Sequence, residues 1–551
     1  MTITEISGRW RCTIVGLAAL CCLALSPTAM AEPLPALQPH GQAAHLMVDG
    51  RPFLIRGGEL GNSSASDLDY LAPHWEAFQA LHLNTVLAPV YWELVEPQEG
   101  RFDFALVDGL IAQARANDMR LVLLWFGSWK NSMSSYAPAW MKRDTGRFPR
   151  ARSAAGEAQE ILSPFAPENL QADRRAFVAL MRHLARVDTE ARTVIMVQVE
   201  NEIGMLPDAR DHAPAATAAW AEAVPAELIA AVEAAPGAPA HALWRAAGGR
   251  TSGDWSAVFG TGKAAEEVFM AWSFACYVEA VASAGKTEYP LPMFVNAALN
   301  RPGAEPGGYP SAGPLPHLFE VWKAGAPSID LLAPDIYFPN FVERISPFRR
   351  ADNPLFIPEA NQAGREETVA DALFAIGRLD AIGFSPFSIE SMERPESHLL
   401  GKLYARLAGM DQLILAHQGQ GTMTGLRPPV SYEGEVDAAA QTVDMGGYRF
   451  TFSFIDPWAP RDRQKVETHG GLLIQLAPDE FLVLGTGVTL TFAPASGQGR
   501  VGIESAWEGD YVDGVWTPGR LLNGDQTHQG RHVRLPPGEV GVQRVRLYAY
   551  D

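Results

Sequence analysis

Between residues 45 and 415, short apolar runs alternate eight times with amphipathic stretches. The runs are Phe53-Leu54-Ile55, Thr85-Val86-Leu87, the six residues 121–126, and 194–199. Met293-Phe294-Val295, the weaker Ile329-Asp330-Leu331-Leu332, Leu355-Phe356-Ile357 and Phe384-Ser385-Pro386-Phe387 complete the set. A parallel strand covered on both faces reads as such a run, because neither side meets water. Helical periodicity lies between the runs. Phe104, Val107, Ile111 and Ala114 share one face behind Asp103 as an N-cap, and Phe177, Leu180, Met181 and Leu184 share another. Eight alternations predict an α/β fold of the (β/α)₈ barrel type over residues 42–415. The alternative, a doubly wound open sheet, predicts a phosphate-binding glycine loop after the first run, and none has that spacing.

Two stretches interrupt the alternation. Residues 207–262 are alanine-rich and predict a helical insertion after the fourth strand. Residues 300–315 carry Arg301-Pro302-Gly303 and Pro306-Gly307-Gly308 and predict a loop after the fifth. Both leave from the end of a barrel where ligands bind, so they either shape a pocket or serve as decoration or a homodimer contact. Beyond residue 415 the pattern changes. Residues 448–454, 488–492 and 542–547 alternate apolar and polar side chains between glycine- and proline-rich turns. This predicts an all-β accessory domain over 416–551, which braces the barrel or binds sugar.

The first 31 residues have the make-up of a secretory signal. Arg9 and Arg11 precede an apolar stretch at 13–25, and Ala29-Met30-Ala31 is a small-residue cleavage site. The expected location is periplasmic or secreted, with no membrane anchor after cleavage. No other segment looks long and apolar enough to span a membrane. Cys12, Cys21 and Cys22 fall in the signal, so Cys276 alone would remain and no internal disulfide could form. The net charge of −19 disfavours nucleic acid as a partner. The 13 histidines lack ligand spacing, so neither a metal nor another cofactor is expected.

Two glutamates sit where a barrel places its chemistry. Glu202 follows the fourth run in Gln198-Val199-Glu200-Asn201-Glu202-Ile203-Gly204, and Glu359 follows the seventh in Phe356-Ile357-Pro358-Glu359. Carboxyls delivered across one barrel mouth can split a glycosidic bond, one as acid and one as nucleophile. Asn201 could hold a sugar hydroxyl beside the reacting carbon. Glu200 reads as a salt-bridging neighbour. Asn296 ends the fifth run and either faces the sugar or caps a turn. Trp129 either stacks on a sugar or packs in the core. Glu390 ends the eighth run as a further site candidate.

These residues resemble clan A of the glycoside hydrolases, in which the acid/base follows an asparagine after strand four and the nucleophile ends strand seven. Tyr91-Trp92-Glu93-Leu94-Val95-Glu96-Pro97, with Gly100, Phe102 and Phe104, looks like the segment after strand two in families 35 and 42. The Gln198–Gly204 motif is most similar to family 35, the β-galactosidases. Gly58-Glu59-Leu60-Gly61-Asn62-Ser63-Ser64 and the β-rich C-terminus look like a bacterial subgroup of that family. The resemblance implies removal of terminal β-galactose from plant cell-wall oligosaccharides, xyloglucan fragments first among them. It also implies that Tyr337 hydrogen-bonds the nucleophile; a core tyrosine is the other reading. Two family features are replaced. Counting back from Pro138-Ala139-Trp140 puts Asn131 where a sugar-contacting glutamate is usual, and Pro89 stands in place of a sugar-contacting tyrosine. Asn131 either bonds a hydroxyl or is a loop residue. Glu59 either supplies a substitute carboxylate or is structural. The alternatives are another clan A β-glycosidase, a glucosidase or mannanase, and a carbohydrate-binding protein without catalysis.

Overall fold

A computed structural model describes residues 33–522 and 524–551. The signal segment, with its three cysteines, lies outside the described residues. Eight parallel strands close into a barrel. They are β1 (Ile55–Glu59), β2 (Thr85–Tyr91), β3 (Arg120–Lys130), β4 (Val194–Asn201), β5 (Met293–Ala298), β6 (Leu331–Ile336), β7 (Ile357–Gln362) and β8 (Gly383–Phe387). Each pairs with the next, and β8 pairs back onto β1. One helix follows each strand: α1 (Trp75–Ala80), α2 (Ala105–Ala116), α3 (Pro167–Val187), α4 (Lys263–Glu288), α5 (Phe319–Gly325), α6 (Phe341–Ile345), α7 (Thr368–Arg378) and α8 (Leu399–His417). This is the (β/α)₈ barrel predicted from the alternation. Every residue of β2 and β4 is buried, which is why both read as apolar runs.

Several strands are displaced from their expected positions. Phe53 belongs to an antiparallel strand, Arg51–Phe53, paired with Leu46, and β1 starts at Ile55. The β1 residues Arg56-Gly57-Gly58-Glu59 carry little apolar signal because the strand needs closeness instead. A Cβ on Gly57 would stand 2.1 Å from Ser385 Oγ, and one on Gly58 2.4 Å from Ile389 Cγ1. Strands β6 and β7 run past their apolar halves to Ile336 and Gln362, so Asp335 and Glu359 lie within strands rather than after them. Helix α2 begins at Ala105, whose N–H donates to the Asp103 side chain at 2.9 Å.

Between β4 and α4 run four short helices, Pro214–Trp220, Ala226–Glu233, Pro239–Ala246 and Trp255–Phe259. The loop after β5 is bridged at Ser311 to Met205. Contrary to expectation, one described segment is long and apolar enough to cross a membrane: α4, with a mean hydropathy of 1.3 over its most apolar window. That window is 67% buried within the fold. Phe177 and Met181 of α3 press on Gly285 of α4, so its apolarity reflects packing on most sides rather than lipid.

The C-terminal region forms two antiparallel sheets. Its strands are β9 (Met423–Leu426), β10 (Gln441–Met445), β11 (Tyr448–Ser453), β12 (Gly470–Ala477), β13 (Glu480–Thr486), β14 (Val488–Pro494), β15 (Arg500–Val512), β16 (Val515–Leu521), β17 (Val533–Leu535) and β18 (Gly541–Tyr550). One sheet has the order β9-β12-β13-β18-β15-β16, the other β10-β11-β14-β17. The larger sheet's inner strands β12 and β13 are covered on both faces. Leu472, Ile474, Leu482 and Leu484 join the barrel's core, while the alternate Leu473, Phe481 and Val483 pack against the smaller sheet. Its attachment to the barrel is close: a Cβ on Gly425 of β9 would stand 2.1 Å from the Leu373 carbonyl of α7. Nearby, Arg427 and Asp371 form a buried ion pair across the same joint. Gly425→Val is therefore expected to destabilise the whole chain by at least about 1–3 kcal/mol. Thermal unfolding measures this, and an unchanged melting temperature would refute the close contact.

Candidate active site

Strand β4 hands over to the site through strained backbone. Glu200 and Glu202 have φ of 62° and 45°, the left-handed region that side chains avoid, at a cost of about 1–3 kcal/mol each. Local bonds hold the turn. The Glu202 N–H donates to Asn296 Oδ1 at 2.9 Å, and the Ser132 N–H donates to the Glu202 carbonyl at 3.1 Å. The loop after β5 closes on the next residues, where a Cβ on Gly204 would lie 2.5 Å from the Pro310 backbone.

Glu202 and Glu359 converge. Both are buried, and one carboxylate oxygen from each lies within 4.8 Å of the other and of one from Asp335. Tyr337 donates its hydroxyl to Glu359 Oε1, and Asn131 donates its amide to Glu202 Oε2. Burial, and then the charge of Glu359, push the Glu202 carboxyl up to about 7, against the opposing charge of Lys130 and hydrogen bonds from Asp335 and Asn131. Asp335 is held well above the ordinary carboxylate range, by burial and then by the charges of Glu359 and Glu202. Glu59, at the end of β1, is raised likewise by burial and by Glu359, with which it shares a hydrogen bond.

Both amide atoms of buried Asn201 have no partner among the described residues. An unmet buried polar group costs roughly 1–3 kcal/mol, so this mouth suits a ligand rich in hydroxyl groups. The three close carboxylates could also hold a cation. The positive charge of Lys130 opposes one.

Other sequence candidates fall differently. Trp129 is fully buried, with its ring against Phe274 and Tyr277 and its Nε1 donating to the Leu162 carbonyl. It is a core residue and cannot stack on a sugar. Asn296 takes the second of its two expected roles: its amide holds the turn at the Glu202 backbone and donates to the Asp335 carboxylate. Glu200 forms no ion pair among the described residues. It accepts from the Trp129 N–H at 2.8 Å in place of the expected salt bridge, and burial and then the neighbouring Asp173 push its pKa well up. Glu390 accepts from the Gly61 N–H and the Ser64 hydroxyl, which ties the loop after β8 to the loop after β1. Pro89 lines an apolar cavity with Leu106 and Leu110 of α2, away from the carboxyls.

Sequence reasoning missed two residues. Lys130 is buried opposite Asn201 in the β3–β4 ladder, with its ammonium 5.3 Å from the Phe126 ring centre, and its charge acts on Glu59, Glu202 and Asp335. Asp335 joins the two expected glutamates. A charged residue closing an otherwise apolar run was the available signal for both.

A family model described as "Beta-galactosidase", of glycoside hydrolase family 42, matches residues 68–234. A second, described as "Domain of unknown function (DUF5597)", matches residues 400–534. A β-galactosidase from Xanthomonas manihotis is 28% identical over 180 residues, 31% of this chain and 27% of that protein. The chain thus covers little more than a quarter of that curated relative. Among solved structures, β-galactosidase from the psychrophilic Marinomonas ef1 is 12% identical with a TM-score of 0.46, covering 68% of this chain and 62% of that one. β-Galactosidase from Bacillus circulans sp. alkalophilus is 15% identical with a TM-score of 0.45, covering 66% and 57%. Over residues 68–234 the chain is thus similar to β-galactosidases of glycoside hydrolase family 42.

The raised carboxyls tie stability to pH. Glu202 contributes stability that is fully present below the ordinary carboxylate pKa and is lost as pH rises through about 7. Glu202→Gln removes that loss. At pH 8 it is expected to be more stable than the parent by on the order of 2–3 kcal/mol, with the gap closing toward pH 5. Denaturation at the two pH values tests this, and a gap that does not change with pH would refute it.

Proposed function

We propose that this chain is an exported, retaining exo-β-galactosidase. The observation that carries the reading is the approach of Glu202 and Glu359 to within 4.8 Å with Glu202 holding its proton near neutral pH. Retaining glycosidases set their carboxyls about 5–5.5 Å apart, whereas inverting enzymes leave room for water at about 6.5–9.5 Å. The short spacing favours retention.

Glu202 gives its proton to the glycosidic oxygen while Glu359 attacks the anomeric carbon. The leaving sugar departs, and a glycosyl ester forms on Glu359. Glu202, now ionised, takes a proton from water, which attacks the same carbon and frees the sugar. Tyr337 holds the Glu359 carboxylate in place through its hydroxyl. The unspent Asn201 amide suits the hydroxyl beside the reacting carbon. We assign Glu59 and Lys130 to hydroxyls further round the ring, in place of the glutamate and tyrosine that family 35 uses. Asn131 serves the acid instead.

The galactose assignment rests on the family model over residues 68–234 together with the Gln198–Gly204 motif. The model belongs to family 42; the motif and the segment from Gly58 to Ser64 lead us to the bacterial family 35 subgroup. On that assignment the substrates are plant cell-wall oligosaccharides such as xyloglucan fragments. The signal-like residues 1–31 support a periplasmic or secreted location.

A panel of chromogenic β-glycosides, with product stereochemistry followed by NMR, tests the reading. Hydrolysis of the galactoside with retention is expected; activity on glucosides or mannosides alone would remove the galactose assignment. Glu359→Gln should abolish turnover. Glu202→Gln should slow substrates with poor leaving groups by roughly 10²–10⁴-fold and spare those with very good ones. Equal activity in the two variants would overturn the roles.

Because Glu202 must carry a proton, kcat/KM is expected to fall above about pH 7. Lys130→Met removes a charge that favours the ionised acid, so that limb should move to higher pH. A limb that stays put or moves down would refute the electrostatic role of Lys130.

A further inference from the structure

The order of the strands gives the site two unequal sides. Glu202 leaves β4 and Glu359 lies in β7. Around the closed barrel, β5 and β6 lie on one side of the line joining them, and β8, β1, β2 and β3 on the other. The second side carries Glu59 at the end of β1 and Lys130 at the end of β3. Both are buried polar side chains at the carboxyl cluster, suited to a sugar enclosed at the reaction centre. If the sugar is enclosed there, the rest of the substrate must lie outside the cluster, along the mouth.

A groove opens from the mouth beside β6 and β7. Its volume is about 360 Å³, inside the ~300–1,000 Å³ range of small-ligand sites. One wall is the barrel, with Tyr337 and Phe338 after β6 and Asn361 on β7. The other is the C-terminal region, with Val430, Val436 and Glu467. The groove starts at the chemistry: Tyr337 bonds Glu359, and Asn361 stands two residues beyond Glu359 on the same strand.

The far wall is built, not incidental. Val430 and Val436 pair across a small turn closed by Ser431 and Gly434, where Gly434 has a φ of 88°. Tyr432 in that turn packs edge-on against Phe338 at 5.6 Å. The buried Arg427–Asp371 pair fixes the floor. Half-exposed aromatic rings along a polar groove suit the apolar faces and hydroxyl edges of a saccharide. The lining charges are two arginines, Arg365 and Arg427, against three carboxylates, Glu367, Asp371 and Glu467. Both arginines are already paired, Arg365 with Glu367 and Arg427 with Asp371. With carboxylates in excess along the lining, an acidic sugar is disfavoured over a neutral one.

We propose that this groove binds the leaving-group portion of the substrate, a neutral oligosaccharide, and that the C-terminal region supplies one wall of it. The inference rests on the glycosidase reading for its orientation. It gives the region matched as a domain of unknown function a part in substrate selection as well as in bracing.

The test uses the full chain with Val430→Arg, which fills the groove, and Asn361→Ala, which removes a polar contact. Neither residue touches the carboxyl cluster in the mechanism above. Two substrates are compared: 4-nitrophenyl β-galactoside, whose leaving group is too short to occupy the groove, and a neutral galactose-terminated xyloglucan oligosaccharide. For Val430→Arg, kcat/KM on the oligosaccharide should drop at least tenfold while the aryl galactoside stays within twofold; Asn361→Ala should shift the same ratio by less. An equal fall on both substrates, or no fall on either, overturns the proposal. So does a wild-type preference for an oligosaccharide with a uronate leaving group.

Binding of the degalactosylated oligosaccharide, followed by saturation-transfer NMR, separates this idea from the glycosidase reading. The wild type should bind it and Val430→Arg should not, whether or not any galactoside is hydrolysed. Absence of binding to the wild type overturns the groove. Binding without hydrolysis overturns the glycosidase and leaves the groove standing.

Discussion

Four carboxyl groups and one ammonium share the mouth of a buried barrel, and the rest of the site follows from that crowding. Two ionised carboxylates within 4.8 Å of each other repel by at least about 3 kcal/mol at an effective dielectric near 20. That equals at least roughly two pK units. Burial adds to it, and it is the larger cause for Glu59, Glu202 and Asp335 alike. The mouth cannot hold four negative charges, so protons stay on some of the groups. Lys130 and the amide of Asn131 work against this at Glu202, and bring it to a pKa at which both giving and taking a proton are possible near neutrality.

The strained backbone has the same origin. Left-handed residues at 200 and 202 put successive carboxyls to opposite uses. Glu202 joins the mouth, while Glu200 meets Asp173 of α3 and lies near Tyr277 of α4, in the helical layer. The Asp173 carboxylate is itself saturated by Trp125, Ser128 and Tyr277. Helices α3 and α4 are thereby fastened to β3 and β4 by hydrogen bonds on either side of the turn that carries the acid. The cost of the turn is met by this network and by Asn296, not by glycine.

What could be read from the chain follows the burial of each face. The barrel was legible because both faces of its strands are covered, which leaves apolar runs, and Glu202 and Glu359 stood out as acids at the ends of such runs. The strand β1 was misplaced because two glycines needed for close packing against the β8 segment erase its apolar signal. In the C-terminal region, β12 and β13 escaped the alternation pattern for the opposite reason. Leu472-Leu473-Ile474 and the run 481–484 have a core on each side, so they never alternate, whereas β11 and β14 expose one face in part and do. Trp129 was ambiguous because an aromatic residue after a barrel strand reads the same in a core as on a sugar. Lys130 and Asp335 were passed over because their roles depend on which carboxyls they face, and only the closed barrel decides that.

The same double burial decides how the C-terminal region relates to the chemistry. A sheet packed on the barrel through one face and on a second sheet through the other cannot slide without exposing Leu472 or Leu473 in turn. Close backbone contact at Gly377 and Gly425, and the dry ion pair of Asp371 with Arg427, fix the sheet to α7. Helix α7 directly follows the strand that carries Glu359. The turn from Val430 to Val436 is therefore held in register with the nucleophile by a short, rigid path: β9 to α7 to β7. A wall on a flexible linker would lose much of its binding energy to ordering, whereas one mounted this way presents its contacts already in place. Bracing and substrate contact are thus one property, because the stiffness that the joint gives the barrel is what places the far wall of the groove beside the reacting centre.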